Sequence, residues 1–232
     1  MTLADLLHAV QGVTPYNLLR IGEAGITTAE FLATPHAEAM RRYSAQMYHS
    51  AAPTITGPAM LIALEGAVID TACAAHLLST HTPELSRARH LIANHYGQGV
   101  AFPPGTALHP DALQAQLVER LERSIGLVAG FVGVPERALW PAAVDRVVGA
   151  LLKAGGAIGW PDEMLLTTIE RVRAGSPLAT RHTGVYVVGG RLHLKRAACC
   201  HIDRTGAPLC ANCPQRPAAE RLAGLRAKGN EA

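Results

Sequence analysis

Apolar residues recur along most of this chain at steps of three and four, the spacing of an α-helix with one buried face. The clearest run is Leu113, Leu117, Leu121, Ile125, Val128 and Val132, which predicts a long helix from Pro110 to about Val132. Glu119, Arg120, Glu122 and Arg123 are placed on its water-facing side. A second run, Val144, Val147, Val148, Leu151 and Leu152, predicts a helix from Trp140-Pro141 through Lys153, ended by Gly155-Gly156. Pro161-Asp-Glu163 reads as the acidic first turn of a helix that stops at Gly175. Nearer the start, Thr2-x-x-Asp5 caps a short helix through Val10, and Thr28 to Ala33 forms another. Met40, Tyr43 and Met47 mark a helix over His36–His49. Thr54-Ile-Thr-Gly-Pro58 then reads as a break, followed by a helix from Pro58 to about Asp70.

The period changes twice. Over 71–104 the apolar runs are short and fit helix or strand equally; Thr82-Pro83-Glu84 signals a turn and Gly97–Gly105 an extended segment, which favours a small hairpin plus a strand. Later, Val185–Val188 and Arg191–Lys195 flank Gly189-Gly190, the signature of a β-hairpin with a two-residue loop. In its second strand Leu192 and Leu194 alternate with Arg191, His193 and Lys195, predicting one buried and one basic face. The pattern as a whole predicts an α+β fold, predominantly helical, with a small antiparallel sheet and a C-terminal hairpin. It divides into a mainly helical region (1–180), the hairpin with the loop after it (181–220) and a polar tail (221–232), together forming one compact domain.

Composition adds little to the fold. The chain has 232 residues, 49% of them apolar and few aromatic, so aliphatic side chains must build the core. Charge is more informative by position. Residues 181–232 hold nine Lys and Arg against three Asp and Glu, whereas 1–180 hold twelve against fifteen. The overall charge of +3 does not argue for nucleic acid, and basic charge gathers instead around the C-terminal cysteines. The start lacks the basic and apolar regions of a secretory signal. The most apolar run, Ala59 to Leu64, ends at Glu65, short of the roughly 18 residues that span a bilayer. A soluble, cytoplasmic protein is expected, and its thiols then stay reduced.

The chemistry gathers in one stretch. Cys199, Cys200, Cys210 and Cys213 fall within fifteen residues, with only Cys73 elsewhere, a spacing that points to shared ligation of a metal or metal cluster. Cys210-x-x-Cys213 is a common chelating step. The adjacent pair Cys199-Cys200 departs from the two spaced knuckles typical of zinc, and two cysteine pairs meet the needs of a binuclear iron–sulfur cluster. Gly206, Pro208 and Pro214 let the loop turn back on itself. His201, next to Cys200, could ligate in a histidine-for-cysteine centre, but four cysteines complete the set and it is expected to lie beside the ligands or exposed. Cys73 is expected to be an ordinary buried thiol.

Cys-Cys followed by Cys-x-x-Cys-Pro near the C-terminus resembles the FhuF-like ferric siderophore reductases, marked by a Cys-Cys-x10-Cys-x2-Cys motif. Tyr43-Ser-Ala-Gln-Met-Tyr48, the following Thr56-Gly-Pro58, and Ala138-Leu-Trp140 are similar to other segments of that family. The spacer between Cys200 and Cys210 has nine residues here, one fewer than the family pattern. The resemblance implies a 2Fe-2S cluster on Cys199, Cys200, Cys210 and Cys213. It also implies an oxidoreductase for iron acquisition, transferring one electron to the iron of a ferric siderophore (an anionic or hydroxamate-type chelate) so that ferrous iron is released. The electron would come from an external donor such as a ferredoxin or a flavin or NAD(P)H reductase. Arg191, His193, Lys195, Arg196 and Arg204 are the candidates for holding the chelate. An iron–sulfur electron carrier, a siderophore-binding protein without reductase activity, and a zinc-stabilised interaction domain fit the same residues.

Overall fold

The computed structural model describes residues 1–93, 96–179, 183–199 and 201–229. It is mainly helical, with small sheets, as the residue pattern predicts. Its axis is helix α4, Pro53–Ser79, which is longer than the sequence suggests. Residues 54–58 do not break it. Pro53 occupies its first turn, and Pro58 removes only the bond that Thr54 would have accepted. Thr54 is exposed at the helix start, where water can replace that bond. The predicted break is therefore corrected, and 71–79 is the end of the same helix.

Helix α4 is apolar on nearly every side because it is surrounded. Against it pack α1 (Leu3–Val13), α3 (Pro35–Met47), α5 (Leu113–Val132) and α6 (Trp140–Ile158). Met60, Leu61, Leu64, Val68 and Ala72 are fully buried between them. By length and composition α4 could cross a bilayer, contrary to the expectation that no apolar run is long enough, but 83% of its most apolar stretch is buried inside the protein. Helices α2 (Thr28–Leu32) and α7 (Asp162–Arg173) complete this layer. The predicted Thr2–Asp5 cap is present: Thr2 Oγ1 accepts from the Asp5 amide at 3.2 Å, and Asp5 Oδ2 accepts from the Thr2 amide at 2.9 Å. Thr27 and Glu30 repeat the motif at the start of α2.

From residue 81 onward the uncertain middle segment is mainly strand. β3 (Arg89–Ala93) and β4 (Tyr96–Phe102) form an antiparallel pair, and β1 (Leu18–Ile21) joins β4 in parallel. β2 (His81–Pro83) pairs with β5 (Leu108–Pro110), so the expected turn at Thr82-Pro83 is strand and Pro110 ends a strand rather than opening α5. β4 lies so close to α4 that a Cβ on Gly97 would sit 2.4 Å from the Ala63 carbonyl oxygen.

Arg120 overturns a second expectation. It is buried, not water-facing, because α4 carries Glu65 into the core directly opposite. All five guanidinium donors are used. Nε and Nη2 donate to Glu65 at 2.9 and 3.3 Å, Nη1 to the carbonyls of Leu85 and Ala88 at 3.3 and 3.0 Å, and Nη2 to His90 Nε2 at 2.9 Å. Thr28 and Ser124 hydroxyls complete the carboxylate at 2.9 and 2.7 Å. The network ties α2, α4, α5 and β3 together.

Candidate metal centre

The cysteine loop hangs from the predicted hairpin. β6 (Gly184–Val188) and β7 (Arg191–Lys195) pair antiparallel from Gly184↔Lys195 to Val188↔Arg191. Gly189 and Gly190 both have positive φ, 59° and 73°, as a tight loop with the strand twist requires. Leu192 and Leu194 turn towards the core, and Leu194 packs over Gly149 of α6. The opposite face is not a free basic surface. Helix α8 (Ala218–Gly229), formed within the segment expected to end in a polar tail, packs on β6 with Leu225 buried. On that face Lys195 Nζ and the Arg221 guanidinium each lie 5.9 Å from the centre of the Tyr186 ring.

Between β7 and Cys199 the chain is held by one residue. Asp145, buried on α6, accepts from the amides of Ala197 (2.9 Å) and Ala198 (2.8 Å) and from the Thr183 hydroxyl (2.8 Å). Arg196 Nε lies 3.7 Å from the same carboxylate. Burial pushes the Asp145 carboxyl up, and these donors oppose the shift. Asp145 was not singled out from the sequence. Its signal is an acidic residue set between Val144 and Val147 on an inward stripe, where a carboxylate must find donors.

Cys199 Sγ and Cys213 Sγ are 4.0 Å apart. A disulfide needs about 2.0 Å. Two thiolates on one tetrahedral ion, each about 2.3 Å from it, stand about 3.8 Å apart. The pair therefore has the spacing of shared ligation. Cys199 Sγ also receives Gln215 Nε2 at 2.8 Å and the His201 amide at 3.3 Å, and Cys210 Sγ receives Arg196 Nη1 at 3.7 Å. Such donors stabilise thiolate charge. Burial pushes the Cys199 thiol up and the Cys213 sulfur adds to it, with the His201 amide opposing; a bound cation reverses that balance. The second cysteine pair closes as a turn, with the Cys213 amide donating to the Cys210 carbonyl at 3.1 Å. Asn212 Nδ2 fastens the turn to the Leu194 carbonyl at 3.1 Å, and Arg216 clamps the carbonyls of Leu209 and Cys210 at 2.9 and 3.2 Å. Cys200 lies outside the described residues. Cys73 is fully buried, its thiol 3.9 Å from the Val147 carbonyl, as expected of a packing residue.

A second donor set shares Cys199. Its thiol, a His201 nitrogen and an Asp203 oxygen lie within 4.8 Å of one another, a group able to bind a metal ion. His201 takes a left-handed backbone (φ 53°), which starts the short 3-10 turn Ile202–Thr205 carrying Asp203. Asp203 was missed in the sequence, though the alternation Cys199-x-His201-x-Asp203 was its signal.

Beside these sulfurs is a cavity of about 440 Å³, walled by α3, α4, α6 and the end of β7. Cys199 forms part of its wall, with Ser44, Met47, Tyr48 and Pro58, so segments separated by more than a hundred residues meet there. Of the five basic candidates, Arg196 alone lines it; Arg191, His193 and Lys195 belong to other surfaces of the hairpin, and Arg204 is exposed on the loop. The structure supplies instead Arg146 and Lys153 from α6. No protein-family model, no curated protein and no solved structure matches this chain.

Proposed function

We propose that this protein is a FhuF-like ferric siderophore reductase whose metal centre is a 2Fe-2S cluster on Cys199, Cys200, Cys210 and Cys213. One observation carries the reading: Cys199, at ligand-sharing distance from Cys213, also forms the wall of a small-molecule-sized cavity. A cluster there would supply one electron, drawn from an external ferredoxin or flavin-type reductant, to the ferric iron of a chelate in the cavity. Ferrous iron is a softer and weaker partner for oxygen ligands, so the reduced iron leaves. The chain's own part is positional. Asp145 fixes the backbone that delivers Cys199, Gln215 and the His201 amide support its sulfur charge, and Arg196 sits between Cys210 and the cavity.

Protein purified without oxygen should be brown, contain about two irons per chain as a binuclear cluster requires, and bleach on chemical reduction. Mixing the reduced protein with a ferric chelate should restore the oxidised spectrum. A colourless protein with one zinc would overturn the proposal. It would favour a mononuclear site on Cys199, His201 and Asp203, the reading supported by the proximity of those three donors. His201→Ala separates the two: it should leave iron content unchanged on the cluster reading and abolish metal binding on the other.

A further inference from the structure

Resting on that reading, the wall between the cysteines and the cavity holds a residue that belongs to both. We propose that Arg196 couples them: it raises the reduction potential of the centre through Cys210, and an occupant of the cavity lowers that potential by drawing the guanidinium away. Its position is fixed from two sides. Lys195 before it is paired with Gly184 across the hairpin, and the amides of Ala197 and Ala198 after it are bonded to Asp145. The side chain, 21% exposed, then reaches three ways. Nη1 lies 3.7 Å from Cys210 Sγ, Nε lies 3.7 Å from Asp145 Oδ2, and the residue lines the cavity beside Ala198, Cys199 and Asn212. The other lining cations are committed elsewhere: Arg146 pairs with Asp70, and Lys153 stands over the Tyr16 ring and also acts on Asp70. Among the described residues, Arg196 is the lining cation that meets a cysteine sulfur.

A guanidinium stays charged at every working pH and presents its five donors in a rigid plane. Donors and positive charge beside a ligand sulfur stabilise the state that carries the extra electron, which raises the potential. Asp145 orients this fork, with Nε turned to the carboxylate and Nη1 to the sulfur. A thiolate sulfur is a weaker partner for a guanidinium than a charged oxygen, which takes its donors at shorter range. Any ferric chelate built on oxygen ligands brings such acceptors into the cavity, whatever its ligand class. They compete for the donors that Cys210 receives. The filled protein is therefore the stronger reductant, and the electron is held back while the cavity is empty. Linkage makes the effect reciprocal: the occupant binds the oxidised protein more tightly than the reduced one, by the factor by which it shifts the reduction equilibrium. Arg196 tunes the centre and does not itself react.

The potential is measured by optical redox titration of the loaded protein, empty and with the gallium(III) complex of a hexadentate trihydroxamate lacking other ionisable groups. That probe is neutral, so no net charge of its own contributes, and gallium resembles ferric iron in size and charge but resists reduction. Arg196→Leu should shift the reduction equilibrium of the empty protein at least about tenfold towards the oxidised form, about 59 mV for a one-electron couple. Arg226→Leu, which removes an exposed charge of α8, should leave it unchanged. In the unaltered protein the gallium complex should shift the equilibrium about fivefold or more in the same direction. Calorimetry should give a matching ratio of affinities for the oxidised and reduced protein, and both effects should vanish in Arg196→Leu. An unmoved potential in Arg196→Leu, or an equal shift in Arg226→Leu, would overturn the role given to Arg196. A gallium complex that does not bind, or that leaves the potential of the unaltered protein in place, would overturn the coupling even where Arg196→Leu fails to hold its metal. Iron content and visible spectrum of the same samples decide the metal reading: a protein without iron overturns both, and a loaded protein with an unresponsive potential overturns the coupling alone.

Discussion

Arg120 and Glu65 show how much a single buried pair is asked to do. Glu65 has no exposed surface, and burial alone would favour its neutral form. The Arg120 guanidinium opposes that and holds the carboxyl well below the usual range. Removing one partner strands the other in the core. Arg120→Met should therefore destabilise the protein by about 3–5 kcal/mol, measured by denaturant unfolding. The pH dependence follows from the sign of the shifts. A carboxyl lowered from its ordinary 4.5 stabilises the folded state fully above that pH and progressively less below it. His76, lowered from 6.5 by burial and by Arg171, adds a milder loss that begins as pH falls through 6.5. Asp70 and Asp145, raised by burial, act in the opposite sense, but Glu65, wholly buried and bonded to Arg120, sets the main limb. Stability should decline gently below pH 6.5 and steeply below about 4.5. Thermal melts across that range check it, and Glu65→Gln should remove the steep limb.

Among the elements, α4 and the hairpin depend on different kinds of closeness. α4 meets β4 through Gly97, where any side chain would strike the Ala63 carbonyl. Gly97→Ala should cost about 1–3 kcal/mol through that overlap, whereas the same change at Gly156, which has open space around it, should have little effect on the melting temperature. The hairpin is held on one side by α6 and on the other by α8. The residue pattern made this hairpin legible, down to its Gly-Gly loop, because strand alternation and turn chemistry are local. It did not show that the basic side is covered. Leu225 is a lone buried apolar residue of α8, and it is buried because α8 folds back on β6, a contact between segments distant along the chain. The stripe assigned to α3 was off for the same reason: Ala37, Met40 and Ser44 are buried, while Met47 is turned to the cavity.

For the molecule as a whole, the candidate metal centre is assembled from a C-terminal loop and an anchor on α6, with α8 packed on the hairpin beside it. Deleting residues 218–232 leaves every cysteine in place but removes the cover from the hairpin. The shortened protein should retain less metal per chain, measured by elemental analysis after dialysis, and its hairpin should be cut faster by protease. Asp145→Asn should also lower metal retention, since an amide replaces one of the two acceptor oxygens that hold the Ala197 and Ala198 amides. Metal retention unchanged in both variants would show that the cysteine loop holds its shape alone.

By itself the sequence determined most of the helix faces, the cap at Thr2, the Gly-Gly hairpin and the ligand-like spacing of the cysteines. Each rests on residues a few positions apart, whose spacing is fixed by backbone geometry. Tertiary structure alone decided that α4 continues through Pro58, that Arg120 turns inward to Glu65, and that Asp145 carries the cysteine loop. It also decided that α3, α4, α6 and β7 enclose a cavity ending at Cys199. Those outcomes depend on burial, where a charge must find its partner and a small residue admits its neighbour, and burial is a property of elements packed together from distant parts of the chain.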